Sequence, residues 1–515
     1  MEPQSENNKK SRFIQWLKSR LLIRPAVDRD PRLSSNKTKI GILSILMMQA
    51  SMPGLSSTIY FPGLPTITSE LNAPNIATIL TAALFVLFMG IAPVFWGSLS
   101  DYYQTRRFLL IIAMVIFTAA SLGCALISNI WSLIVFRCIQ SVGSSAAMAV
   151  GGGCLADLYN VENRGGPTSN LFLSMFIGPL IGPIIGGFLT ISNLTWRSTF
   201  LFCVAFGSFV LIITFLFMPE TYRDNKKFDI DTTLPTTLPL SPVISATTVL
   251  EEHKNSEIFD KNDSAHFKNN KKCNQQHQQQ EKIKKKTFNP IRPLLMLRYP
   301  HVLLPSLVGG IVFGSFFALE AVLPILYEEI YGFTPWELGL CYLGGGVGSI
   351  VGAVFQGCVS DKLLLRAREK RDGKHKIEDR IGINLWPCCL IFIPAGLLMF
   401  GWSAEYKLSY WIGIVAFGIQ TFGMNQVLPE TNAYLLDATP GEGASVLAAA
   451  TLVRMTFACV LTLCASPLLQ LLGPGFLFVI FAALSWIAAG LMLINKIYGR
   501  NMRRRVGFEQ DEEMD

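Results

Sequence analysis

The sequence predicts an all-α polytopic membrane protein, with twelve transmembrane helices in two six-helix halves. Three observations predict it. Half of the 515 residues are hydrophobic and only 16% are charged, against about 25% charged in soluble domains, and the mean hydropathy is +0.39. The apolar residues fall in blocks of about 20 rather than at amphipathic spacing, which is the length a helix needs to cross a bilayer. The blocks form two groups of six, separated by a long polar stretch.

Residues 1–37 are a polar, basic N-terminal tail. Phe13, Ile14, Trp16, Leu17 and Leu21 share one helical face there, with Arg12, Lys18 and Arg20 elsewhere. A basic amphipathic helix on the inner leaflet and a partly ordered tail are both open readings. The N-terminal half, 38–221, is expected to span the membrane at 39–61, 76–98, 107–128, 131–153, 169–190 and 198–218. A central loop follows at 222–299. Its segment Asn269–Lys286 is low-complexity, polar and basic, so the loop is expected to be largely disordered. The C-terminal half, 300–498, has spans at 301–327, 337–359, 381–402, 409–430, 445–467 and 474–497, and a tail at 499–515.

Charge sets the orientation. Lys and Arg collect in the N-terminal tail, at Arg106 and Arg107, at Arg164, through 222–300, at Lys362–Arg380 and at Arg500–Arg505. The opposite loops are short and poor in both. Both termini are therefore expected in the cytoplasm. The first residues are polar and basic, so no cleavable signal peptide is expected.

Composition excludes several classes. The eleven cysteines sit mostly singly in apolar runs and show neither metal spacing nor a disulfide framework. Five histidines form no cluster. No phosphate loop, nucleophile elbow or dinucleotide turn is present, so we expect no enzyme, no cofactor, no metal and no nucleic-acid partner. The run Gly344–Gly352 lies mid-span. Its Gly344, Gly348 and Gly352 read as helix packing.

The fifth span carries Gly178-Pro-Leu-Ile-Gly182-Pro183-Ile-Ile-Gly186-Gly187. Glycines four apart leave one face without side chains, so a neighbouring backbone can approach closely. Two prolines each remove an intrahelical hydrogen bond and are expected to kink the helix. A bent, charge-free helix on which a neighbour moves and plain helix packing are both open.

Each half repeats a second motif. The second span ends Gly97-Ser-Leu-Ser-Asp101, followed by Arg106 and Arg107; its counterpart ends Gly357-Cys-Val-Ser-Asp361, followed by Lys362 and Arg366. Such symmetry suggests a transporter built from parallel repeats. Gly97 is expected to let its helix pack on one from the other half. Asp101 would face that helix's positive N-terminus, and Arg106 would bridge to nearby carboxylates. Asp157 and Asp437 are expected at the same cytoplasmic gate.

Gly97–Leu109 resembles the cytoplasmic loop signature of the major facilitator superfamily. Gly97, Leu99, Asp101, Arg106 and Leu109 match, whereas Tyr102, Gln104 and Thr105 depart from it. Arg137-Cys-Ile-Gln140-Ser-Val-Gly143 and the fifth-span glycine–proline run resemble signatures of the twelve-span drug:H+ antiporter family. Leu55–Pro65, Met218-Pro-Glu-Thr221 and Phe288–Pro293 resemble its fungal branch. The likeness covers roughly residues 38–500. It implies the major facilitator fold, a small-molecule substrate, protons as the coupling ion, and a role for Arg137 and Gln140 in proton coupling.

Buried charge gives independent candidates. Arg137 inside the fourth span costs at least ~2.5–3.5 kcal/mol unless it faces a cavity or a partner. A coupling arginine and a structural arginine bonded to carbonyls are both open. Glu320 is the acid well inside the seventh span: a proton or cation site, or a residue at a wet outer mouth. Arg454 and Glu430 are expected to pair structurally. Tyr60, Phe85, Phe88, Phe313 and Phe317 could line a cavity, with lipid-facing packing as the default. Gln49, Asn170 and Asn425 are expected to hydrogen-bond between helices.

The expected function is a proton-coupled antiporter that exports small organic compounds: drugs, organic cations or weak acids, amino acids or polyamines. An importer or uncoupled facilitator is the alternative. The expected setting is the plasma membrane, with the vacuolar membrane open, in contact with lipid and as a monomer.

Overall fold

A computed structural model describes residues 30–160, 165–223, 292–369, 377–381, 385–439 and 443–506. The amphipathic segment of the tail, most of the central loop and residues 507–515 lie outside the described residues, as does Arg164.

Eleven long helices carry the fold: α1 (Asn36–Thr58), α2 (Asn75–Tyr103), α3 (Arg107–Leu126), α4 (Ile130–Leu158), α5 (Gly165–Leu189), α6 (Arg197–Phe217), α7 (Pro300–Tyr331), α8 (Leu343–Glu369), α9 (Ile393–Glu405), α10 (Tyr410–Ala438) and α11 (Gly443–Val506). No strand occurs among the described residues. Among those residues, ten helical stretches are long and apolar enough to cross a membrane. The last, Ser445–Val506, breaks at Gly473 (φ 76°, ψ 169°), which only glycine adopts readily. Counting its two arms separately gives eleven, and α5 adds a helix whose apolar stretch, Ile177–Leu189, is shorter.

Local chemistry explains the boundaries. Ser35 caps α1 by accepting from the Thr38 N–H at 3.3 Å, and Asn129 caps α4 by accepting from the Trp131 N–H at 2.9 Å. Gln104 in the left-handed region ends α2, and Gly332 in the same region ends α7. A short helix, Pro335–Cys341, leads into α8 behind a Thr334/Glu337 capping box. The second arm of α11 starts where the Gly475 N–H donates to Glu405 Oε2 at 3.1 Å.

Within the first half, α1 packs on α5, and α3 packs on α4 and α6; within the second, α7 and α9 pack on α11, and α8 packs on α10. The halves meet along α2 with α11, and along α5 with the short helix and α8. The expected stripe Gly344, Gly348, Gly352 is a packing face: a Cβ at these positions would collide with α10 at Ile414, Gly418 and Phe422. Cys388 and Cys389 are buried in the core.

Candidate functional site

The α5 stretch serves two interfaces, and at both its glycines are close-packed. Gly178, Gly182 and Gly186 all point at α1 of their own half, where a Cβ would run into the backbone of Ser51, Leu55 and Ile59. Pro179 in turn fills the notch at Gly54. Pro183 has no N–H, so the Pro179 carbonyl loses its helical donor; Thr58 Oγ1 of α1 approaches it at 3.4 Å. The helix runs unbroken through both prolines. Its other face meets the second half: a Cβ at Gly187 would lie 2.7 Å from Pro335 O, and one at Gly339 would lie 2.6 Å from Pro183 O.

The Arg106 cluster lies within the first half. Arg106 Nε donates to Asp157 Oδ2 at 3.1 Å, and Nη1 donates to Asp101 Oδ1 at 3.1 Å and to Ser100 Oγ at 2.8 Å. The Arg106 N–H and Thr105 Oγ1 donate to Glu220, at 2.9 and 2.8 Å. Glu220 thereby caps α3 from the chain that leaves α6, and also accepts the Thr221 and Tyr222 N–H groups at 3.0 Å each. Gly153 of α4 leaves room for the guanidinium, since a Cβ there would lie 2.7 Å from it. The expected contact of Gly97 with the other half is not found: its Cβ direction meets Ala149 Cβ of α4, at 3.5 Å. On the second half, a Cβ at Gly357 would meet nothing within 4 Å. The Asp361 side chain lies outside the described residues. The charged cluster described there joins Arg503 to Glu378 at 2.8 Å and to the Tyr434 hydroxyl at 3.1 Å.

Arg137 is fully enclosed. Nη1 donates to Ser56 O at 2.8 Å and to Gln140 Oε1 at 2.7 Å, and Gln140 Nε2 donates to Ser121 Oγ at 2.7 Å. The guanidinium carbon lies 4.3 Å from the Tyr60 ring centroid and 4.1 Å from that of Phe85. Rings at this distance attract a desolvated cation by about 2 kcal/mol. Nε and Nη2 find no acceptor, and no carboxylate pairs with Arg137, among the described residues. The carbonyl bond to Ser56 fits the structural reading, and the charge is otherwise held by aromatic faces.

Glu320 is buried in α7, and its Oε2 is enclosed without a hydrogen-bond partner among the described residues. It is not at a wet outer mouth, and it does not pair with Arg137. Its backbone carbonyl loses the helical donor because Pro324 follows four residues later. The Tyr342 hydroxyl, at the start of α8, supplies that bond at 2.7 Å.

The expected Arg454–Glu430 pair does not form. Arg454 Nη2 donates instead to Asn432 Oδ1 at 2.9 Å, and its guanidinium lies 5.9 Å from the Phe313 centroid. Tyr60, Phe85, Phe313 and Phe317 are buried in the protein rather than facing lipid, and Phe88 is half-buried. Gln49 does bond between helices, to Thr214 Oγ1 at 2.7 Å. Asn425 bonds its own helix at Thr421 O, 3.0 Å, and Asn170 is exposed.

Sequence reasoning passed over Glu220, Tyr342 and Asn432. Glu220 was visible as the acid of a Pro-Glu-Thr turn. Tyr342 was visible only through its unpaired target, the carbonyl four residues before Pro324. Asn432 carried no sequence signal.

Two helical bundles that meet along paired helices, with lone charges between apolar spans, define a polytopic membrane transporter. The Major Facilitator Superfamily model matches residues 46–462, and the chain belongs to that superfamily. The MFS transporter fsa7 of Fusarium sp. is 30% identical over 469 residues, covering 89% of this chain and 85% of the relative. The MFS antiporter QDR3 of Candida albicans is 26% identical over 562 residues, covering 92% and 80%. A bacterial homolog of the human lysosomal transporter Spinster, inward-facing and unoccupied, shares the fold at TM-score 0.60 and 14% identity, over 91% of this chain and 99% of that one. A D-xylose–proton symporter does so at TM-score 0.60 and 15% identity, over 88% and 97%.

Proposed function

We propose that this transporter is a proton-coupled antiporter that exports small organic compounds by alternating access. The observation that carries the reading is Glu320: an acid inside an apolar span, buried, with its Oε2 unpartnered among the described residues. Such residues are costly and by default mark an ion or proton pathway. The similarity to an antiporter, QDR3, supports the same direction.

In this reading the Arg106 end faces the cytoplasm with both termini, in the plasma membrane. Gly97, Asp101, Arg106, Asp157, Gly357 and Asp361 belong to the gate there. Arg137 and Gln140 keep a positive charge in the first half, opposite the Glu320 half. The protein works as a monomer surrounded by lipid. Proton and substrate bias the two access states through their different affinities for each, so protonation of Glu320 and substrate binding oppose one another.

The test uses purified protein in vesicles with an imposed pH gradient. Compounds should move against their gradients only while ΔpH stands. A protonophore, Glu320→Gln and Arg137→Ala should each abolish the uphill component. Downhill movement indifferent to the protonophore would make the protein an uncoupled facilitator.

A further inference from the structure

Arg454 is a second lone charge, and nothing above gives it a task. It is half-buried in α11, with Nη2 tethered to Asn432, and no acid pairs with it among the described residues. Nε is enclosed without an acceptor. Its partial exposure is not toward lipid. The exposed stripe of this arm runs through Thr456, Val460 and Cys464, and Arg454 stands roughly 120° around the helix from Val460. The next residue, Met455, packs into the notch at Gly90 of α2, in the opposite half. Arg454 therefore opens toward the interior, beside the seam between the halves.

One strip of α7 connects it to Glu320. The guanidinium lies against Phe313. Phe313, Phe316, Phe317 and Glu320 fall on one helical face, at spacings of three, four and seven. The rings touch one another with centroids 5.0–5.9 Å apart. Phe313 and Glu320 are seven residues apart, roughly 10 Å along the axis. The strip thus has a cation at one end, an acid at the other and buried phenylalanine rings between them. Among the described residues, the titratable group against the acid end is Tyr342, whose hydroxyl bonds the Glu320 carbonyl, and the cation end has Arg454. Glu430, two residues before Asn432 on α10, is not bonded to Arg454.

We propose that this strip binds a zwitterion. An anionic group sits on Arg454 and Asn432, a cationic group sits on Glu320, and an apolar or aromatic body roughly 10 Å long lies over the phenylalanines. The anionic end gives affinity, and the cationic end makes binding compete with the proton. A cation alone would leave Arg454 uncompensated; an anion alone would leave the proton site unopposed. The inference rests on the antiport reading and names its substrate class. Both poles belong to one half, so they keep their spacing whichever way the transporter opens.

The test measures ΔpH-driven uptake into vesicles of ω-amino fatty acids of increasing chain length, beside octyltrimethylammonium and octanesulfonate. Uptake should peak at one intermediate length and be weak for both single-charge probes. Arg454→Gln should raise the half-saturating concentration of the best zwitterion about tenfold or more, and Arg454→Lys should recover part of the loss. The length series uses the wild-type protein, so it stands even if a variant misfolds. No length optimum, or ΔpH-driven uptake of octyltrimethylammonium that equals the best zwitterion and is unchanged in Arg454→Gln, overturns the zwitterion site while leaving antiport intact. Uptake of every probe that ignores ΔpH overturns the antiport reading beneath it, and this inference with it.

Discussion

Gly187 and Gly339 face each other across the two halves. A Cβ on Gly187 would lie 3.2 Å from the Gly339 Cα, and a Cβ on Gly339 would lie 3.3 Å from the Gly187 Cα. The two backbones can come this close only because neither residue has a side chain. One turn of α5 thus holds adjacent glycines with different duties, since Gly186 points at α1 and Gly187 at the other half.

That split separates two kinds of mutant. Gly186→Ala drives a methyl into the Ile59 carbonyl within one half, an overpacking that should cost about 1–3 kcal/mol and lower thermal stability in detergent. Gly187→Val should leave each half folded and wedge the halves apart at that end. Its expected signature is near-wild-type folding with transport lost, and increased labelling of a cysteine placed at Trp336. Equal destabilisation by both would show that the two glycines do the same job.

The Arg106 cluster should show graded costs. Arg106 and Asp157 side chains are 11% and 14% exposed, whereas Asp101 is 54% exposed. Removing a partner from a mostly buried pair costs about 3–5 kcal/mol, and an exposed pair contributes about 0–1 kcal/mol. Thermal unfolding should therefore rank Arg106→Ala as most damaging, Asp157→Asn next and Asp101→Asn least.

The Pro324–Tyr342 relationship predicts a rescue. Tyr342→Phe leaves the Glu320 carbonyl buried without a donor, at about 1–3 kcal/mol. Pro324→Ala restores the helical N–H that proline removed. Of the two changes made together, the second should recover most of the stability lost to the first. Additive losses in melting temperature would show that the Tyr342 bond is incidental.

Asp30 ties the N-terminal tail to the chain leaving α6. Arg223 Nε donates to Asp30 Oδ1 at 3.1 Å, and Nη2 donates to Oδ2 at 3.0 Å. Partial burial would raise the Asp30 carboxyl, but the Arg223 bonds and the Arg32 N–H outweigh it and hold the group below its ordinary value. With a depressed folded value, the tether is fully present above the ordinary aspartate range and is lost as pH falls through the lowered value. The melting-temperature gap between wild type and Asp30→Asn should be constant from about pH 5 to 8 and close only in stronger acid. A gap that closes near neutral pH would place the linkage elsewhere.

The sequence by itself determined the membrane class, the order of the spans, the two-half plan and the superfamily. Apolar blocks of about 20 residues have one solution in a bilayer, because each backbone N–H must find its partner within its own helix. It also marked Arg137, Glu320 and the glycine stretch, since charge or close approach inside a span is visible wherever it occurs. What it could not determine is which face meets which neighbour. Helical spacing placed Gly178, Gly182 and Gly186 on one stripe, but α1 and α8 were equally available to receive it until the halves were assembled. Arg454 was read as the partner of Glu430 by charge, yet it bonds Asn432. Glu220 caps α3 from 114 residues away along the chain, and Gly97 packs on α4 rather than across the seam. Helices in lipid have no hydrophobic preference for one apolar neighbour over another, so partners are chosen by shape and by scarce polar contacts. Those contacts exist only in three dimensions.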